Sequence, residues 1–270
     1  MTSPELSLQL YTVRDALSAD LPGTLDRIAA LGVRNVEAFG FVGNAAALRA
    51  AYDAAGLTAP SGHANFLSDE LRFGDDVVTV PPFTSILDDA ATLGVEVLID
   101  PMVLAPRWSS ADEVAKTADR LNGLVDEAAS RGIRLGYHNH SQEFHHDIDG
   151  VPALEHFAGL LDDRVVLEVD AFWAATGGQD VPALLRRLGD RVRLLHMKDG
   201  VIGADPFRAD DASAVTLDQR VAGEGDLDTG AILAAAPAAE YAVIEFDAYD
   251  GDLFDAIARS ADALRAEGVR

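Results

Sequence analysis

The chain of 270 residues contains no cysteine. Disulfides and thiolate metal sites are therefore excluded, and any bound metal must be held by oxygen and imidazole ligands. Basic residues are scarce: 21 Lys and Arg stand against 45 Asp and Glu, for a formal net charge of −24. A surface this acidic repels a phosphate backbone, so nucleic acid is not an expected partner. No apolar run approaches the length of a membrane span, and residues 1–6 lack the basic segment and apolar stretch of a secretory leader. The expectation is a cytoplasmic protein with no membrane partner; self-association into a homo-oligomer is left open. No linker or break in composition divides the chain, so residues 1–270 are read as one domain.

What is present is a regular alternation of short apolar runs and longer amphipathic stretches. Strands are expected over residues 6–10, 34–38, 58–61, 95–99, 133–138, 165–170, 192–197 and 241–246. Helices are expected over 20–31, 45–55, 83–93, 112–130, 151–161, 182–189, 229–239 and 253–267. The strands are rich in Val, Leu and Ile on both faces, as buried parallel strands are. Such alternation builds either a closed (β/α)₈ barrel or a doubly wound sheet. The sequence favours a TIM barrel, because no Gly-x-Gly-x-x-Gly follows the first strand and because polar residues gather at the ends of many strands. Residues 66–82 and 199–225 read as loops longer than such units usually carry, which points to function.

In a barrel, the C-terminal end of each strand faces the active site. Those ends carry Gln9 and Tyr11, Glu37, His63, Asp100, then Tyr137-His138-Asn139-His140 with Glu143 close behind, Glu168 and Asp170, His196 and Lys198, and Glu245 and Asp247. Glu143, Asp170, His196 and Glu245 come from four successive strand ends and suit one divalent ion, Mn²⁺, Mg²⁺, Co²⁺ or Zn²⁺, with positions left for a chelating substrate. His138 and His140 alternate and share a side of the fifth strand, so either is a candidate ligand or base. Glu37, His63, Trp173 and Lys198 are candidate substrate contacts, with Lys198 able to pair instead with Asp199. Gly223-Glu224-Gly225 reads as a tight turn presenting a carboxylate, and His145 and His146 read as surface residues.

Several motifs resemble the sugar phosphate isomerase/epimerase family of xylose isomerase-like barrels. They are Leu8-Gln9-Leu10-Tyr11-Thr12-Val13-Arg14-Asp15, Tyr137-His138-Asn139-His140 with Glu143-Phe144, Val169-Asp170-Ala171-Phe172-Trp173, Leu195-His196-Met197-Lys198-Asp199 and Ile244-Glu245-Phe246-Asp247. The resemblance covers nearly the whole chain in order. It implies a small-molecule sugar substrate and a divalent metal, most often Mn²⁺, on Glu, Asp, His and Glu, matched at Asp170, His196 and Glu245. The family's plain epimerases carry a Glu about where His138 stands, so the first ligand is either Glu143 or a histidine replacing it. The implied chemistry is isomerisation or epimerisation of a keto-sugar or related polyol through an enediolate. Glu143 and Glu245 would serve as the acid/base pair, with His138 or His140 as substitute. The alternative is a lyase or dehydratase of a keto-inositol or 3-keto-glycoside at the same metal. A non-catalytic sugar-binding barrel is the third reading. An abasic-site endonuclease, which shares the barrel, is opposed by the charge.

Overall fold

The computed structural model describes residues 3–73 and 76–270. Eight parallel strands close into a barrel: β1 (Glu5–Gln9), β2 (Asn35–Ala38), β3 (Thr58–His63), β4 (Val97–Asp100), β5 (Arg134–His138), β6 (Val166–Asp170), β7 (Val192–His196) and β8 (Tyr241–Ile244). Closure comes from β1 lying between β2 and β8, with Gln9 opposite Glu37 and Glu5 opposite Tyr241. The expected helices at 45–55 and 83–93 form with those bounds. Strand β8 stops short of Glu245 because the Phe246 N–H donates to the Thr12 hydroxyl at 3.1 Å instead of continuing the ladder.

The helices pack outside the strands, and their starts are fixed by short acidic side chains. Asp20, Asp180, Asp228 and Asp252 each cap a helix by accepting from an N–H of its first turn. Part of the acidic excess is therefore structural. The repeated helix–Gly–strand connection uses a left-handed residue, as at Gly94 (φ 90°), where a side chain would be strained. No helix among the described residues is long and apolar enough to cross a membrane.

Both long segments carry structure of their own. The first contains an antiparallel ribbon of Glu70–Phe73 with Asp76–Thr79, and residues 74 and 75 of that segment lie outside the described residues. The second contains a ribbon of Asp199–Val201 with Asp218–Arg220.

Inside the barrel, Val97, Ile99, Val166 and Leu194 form an apolar plug packed against Tyr241. Strand β5 contributes only Gly136 at this level. A Cβ there would sit 2.4 Å from Ile99 Cδ1, so any larger residue would force the plug apart. Side chains alternate along a strand, so Val166, Glu168 and Asp170 share the inner face of β6. The same strand thus passes from the plug to the polar mouth.

Candidate metal centre

Above the plug, buried polar side chains form two tiers. In the lower tier, Gln9 Nε2 donates to Glu37 Oε1 at 2.7 Å. His63 Nε2 lies 3.0 Å from that oxygen and 2.6 Å from Glu168 Oε2. The upper tier holds Asp170, Glu245, Asp247 and Lys198, whose Nζ is 3.0, 2.9 and 2.8 Å from Asp170 Oδ2, Glu245 Oε2 and Asp247 Oδ2.

His138 and His196 span the two tiers. His196 Nε2 is 2.7 Å from Glu37 Oε1 and 3.2 Å from Glu168 Oε2, while its Nδ1 is 2.7 Å from Glu245 Oε2 and 3.9 Å from Asp170 Oδ2. His138 Nδ1 is 3.1 Å from Glu168 Oε2, and its Nε2 is 4.0 Å from Asp170 Oδ2. Each imidazole thus has one nitrogen engaged by a lower carboxylate and the other turned to the upper tier. Metal-ligating histidines are held in this way, because a carboxylate on the far nitrogen fixes tautomer and ring orientation.

Asp170 is set by its place at the end of β6. Its Oδ1 caps the short helix Ala171–Thr176 by accepting from Trp173 N at 2.8 Å, and its own N–H donates to Asn139 Oδ1 at 3.1 Å. Its Oδ2 is buried and makes no well-formed hydrogen bond, although the Lys198 ammonium is close. A buried carboxylate oxygen in this state is an open ligand position.

The electrostatics separate the histidines into two kinds. Burial opposes charge on His63 and His196, but the carboxylates around them prevail. His63 is pushed up to about 10 by Glu37 and Glu168, and His196 well above its usual range by Glu168, Glu245 and Glu37. Burial instead dominates at His138, helped by the charge of His196, and takes it well below the ordinary value. Burial and then Lys198 bring His140 down to about 4. His138 and His140 are neutral at pH 7, the form in which imidazole binds metal or accepts a proton. Burial raises Asp170 to about 6 even with Lys198 and His196 beside it.

Two overlapping groups among the described residues bring ligand atoms within 4.8 Å of one another: His138, Asp170, His196 and Glu245, and His63, His138, Glu168 and His196. The first group contains the open oxygen of Asp170 and the imidazole nitrogens not turned to the lower carboxylates. Two imidazole nitrogens and two carboxylate oxygens match the preferences of Mn²⁺, Co²⁺ or Zn²⁺, so the residues fit a divalent ion, whose binding would displace the proton that the surrounding carboxylates hold on His196.

Asp170, His196 and Glu245 therefore lie together, whereas Glu143 stands apart from them. The turn Gln142–Phe144 directs its carboxylate back to β5, where it accepts from Tyr137 OH at 2.6 Å and His140 N at 2.9 Å. Tyr137 is fixed in turn by edge and tilted contacts with Trp108 and Phe157, at centroid distances of 5.3 and 5.4 Å. His138 occupies the place beside the other three. His140 packs on Trp173 and Phe207, and its Nδ1 is buried without a partner. Glu37 sits in the lower tier beneath the histidines, and His63 joins it there.

Other placements differ from expectation. Lys198 pairs with Asp170, Glu245 and Asp247 and not with Asp199, whose carboxylate accepts the backbone N–H groups of Gly200, Gly223, Gly225 and Leu227. Glu224 pairs outward with Arg259. His146 is exposed, but His145 is half-buried, with Nε2 2.7 Å from Asp205 Oδ2. The sequence alone assigns no role to Glu168 or Asp247. The signal for Glu168 was its spacing, since a residue two before Asp170 on a strand shares its face.

A cavity of about 430 Å³ opens beside the upper tier, with His63, His138, His140, Glu245 and Asp247 in its wall.

Residues 25–269 match the model of the family described as xylose isomerase-like TIM barrel. No curated protein matches the chain significantly in sequence. Among solved structures, a sugar phosphate isomerase/epimerase from Parabacteroides distasonis is similar, with TM-score 0.78 and 24% identity over 98% of this chain and 95% of its own. A probable 3-DHS dehydratase involved in petrobactin synthesis from Bacillus anthracis gives TM-score 0.71 at 12% identity, covering 97% and 98% of the two chains. The IolI protein with a bound zinc atom gives 0.69 at 16%, covering 97% of each. At these identities the likeness shows a shared fold.

Proposed function

The chain belongs to the xylose isomerase-like TIM barrel family, and on that premise we propose that it is a divalent-metal-dependent isomerase or epimerase of a keto-sugar or related polyol. The observation that carries this reading is the convergence of His138, Asp170, His196 and Glu245, two of which, His138 and Glu245, line a cavity. The bound zinc in a protein of the same fold agrees with it. Mn²⁺ is the first ion to test, followed by Co²⁺, Zn²⁺ and Mg²⁺. His138, Asp170, His196 and Glu245 would hold the divalent ion, which when bound would supply Lewis-acid stabilisation of the charge that develops on a substrate carbonyl oxygen.

This chain's own residues supply the rest. Glu168 and Glu37 orient the two imidazoles from below. Lys198, kept charged by three carboxylates despite its burial, holds the upper tier together and fixes the positions of Asp170 and Glu245. His140 lines the cavity in its neutral form and serves as the proton acceptor. Glu245, whose carboxylate is buried yet held well below the usual range by Lys198 and His196, is the second proton carrier.

Elimination at the same centre is the second reading. It is favoured by His63, which stands in the cavity wall carrying a proton and so offers an acid to a departing oxygen. The dehydratase of similar fold is consistent with it.

Proton NMR of keto-sugars and keto-inositols in D₂O with the metal-loaded protein tests both. The proposal expects deuterium to enter next to the carbonyl, with a new epimer or isomer appearing. An unsaturated product selects elimination, and a substrate panel that takes up no deuterium opposes both.

A further inference from the structure

The cavity has two unlike walls. One is the polar wall of the upper tier. The other is built by Phe39, Phe41 and Val42 after β2, Met102 after β4, and Leu71, Val78 and Val80 from the ribbon segment. Phe39 is 41% exposed and Val78 52% exposed, so apolar surface lies bare at the mouth of a functional cleft. Contiguous bare apolar surface of this kind marks a binding site. Tyr11 lies edge-on to Phe39 with ring centroids 5.0 Å apart, which adds an aromatic lip.

Among the lining residues whose side chains are described, the one cation is His63, already paired with Glu37 and Glu168, and two carboxylates, Glu245 and Asp247, stand beside it. The nearby cations are already engaged. Arg14 donates to the carbonyl oxygens of Tyr11 and Asp247 and lies 4.1 Å over the Tyr11 ring. Lys198 is held by three carboxylates. A phosphate here would meet like charge and no free donor pair, whereas an aromatic ring would bury bare apolar surface against Phe39 and the Met102 thioether.

We infer that the apolar half of this cavity holds an aromatic group carried by the substrate, so that the substrate is a sugar or polyol head bearing an aryl substituent and not a free or phosphorylated sugar. The inference rests on the reading of the upper tier as the site of the sugar head. Continuity supports it, because one cavity reaches both Glu245 and Val78.

The test is ligand-observed ¹⁹F NMR with 4-fluorophenol, titrated into wild type, Phe39→Ala and Val78→Asp. Both changes are at exposed positions, and thermal unfolding checks that the variants fold. The expected result is binding by wild type, weakened at least about fivefold in either variant and unaffected by added inorganic phosphate. Absence of binding, equal binding by all three proteins, or displacement by phosphate would overturn the inference. The readout needs neither metal nor turnover, so loss of the aryl site and failure of the metal-centre reading are told apart.

Discussion

Lys198→Met lowers the stability of the metal-free protein by about 3–5 kcal/mol, the usual effect of removing one partner from a buried ion cluster. The ammonium is 2% exposed and faces Asp170, Glu245 and Asp247 within 3.0 Å. Methionine fills nearly the same volume, so the loss is electrostatic and not a cavity. It leaves carboxylates in a site where burial already disfavours their charge. For a chain of this size the unfolding midpoint should fall by roughly 10 °C. A divalent ion binds the same carboxylates, so adding Mn²⁺ should raise the variant's midpoint more than that of wild type. Thermal unfolding with and without Mn²⁺ reads both effects. A variant as stable as wild type without metal would mean that the three carboxylates are not charged together in the fold.

Glu143→Gln produces a stability difference that changes with pH. Burial raises the Glu143 carboxyl from 4.5 to about 7, against the pull of its Tyr137 and His140 hydrogen bonds. The fold therefore favours the protonated acid. That stability is fully present below the unfolded value and is lost as pH rises through 7. Glutamine cannot ionise and can still bridge Tyr137 OH and the His140 N–H. The variant should match wild type near pH 4.5 and exceed it at pH 8 by up to about 3 kcal/mol, the equivalent of the shift at about 1.36 kcal/mol per unit. Urea unfolding at several pH values measures the gap. A gap that stays constant with pH would show that the carboxylate is paired or solvated and not simply buried.

The barrel was legible because its signals are local and repeated: a short apolar run, an amphipathic helix, a stop at Gly32, Gly94 or Gly132. Asp170, His196 and Glu245 were legible because strand ends in this fold converge whatever the helices do. The first ligand was not. Glu143 is only five residues past His138, and nothing in that spacing tells whether the turn brings a carboxylate forward or folds it back. The direction is set by Tyr137, whose hydroxyl reaches Glu143 only because Trp108 and Phe157, distant in sequence, hold its ring. The ribbons at 70–79 and 199–220 escaped for a related reason. Their strands are three or four residues long, and the second pair is separated by a long excursion. The pairing of Lys198 likewise depended on Asp199 being taken up by four backbone N–H groups, a loop contact with no sequence period.

The most direct test of the metal centre is elemental analysis of protein purified without chelator or nickel affinity, for wild type, Asp170→Ala, Glu245→Ala and Glu143→Gln. The account predicts about one divalent ion per chain in wild type and Glu143→Gln, and none in the other two, because the ion rests on His138, Asp170, His196 and Glu245. A wild type that stays metal-free after reloading would contradict it and leave a sugar-binding barrel without catalysis; loss of the ion in Glu143→Gln would contradict the ligand set.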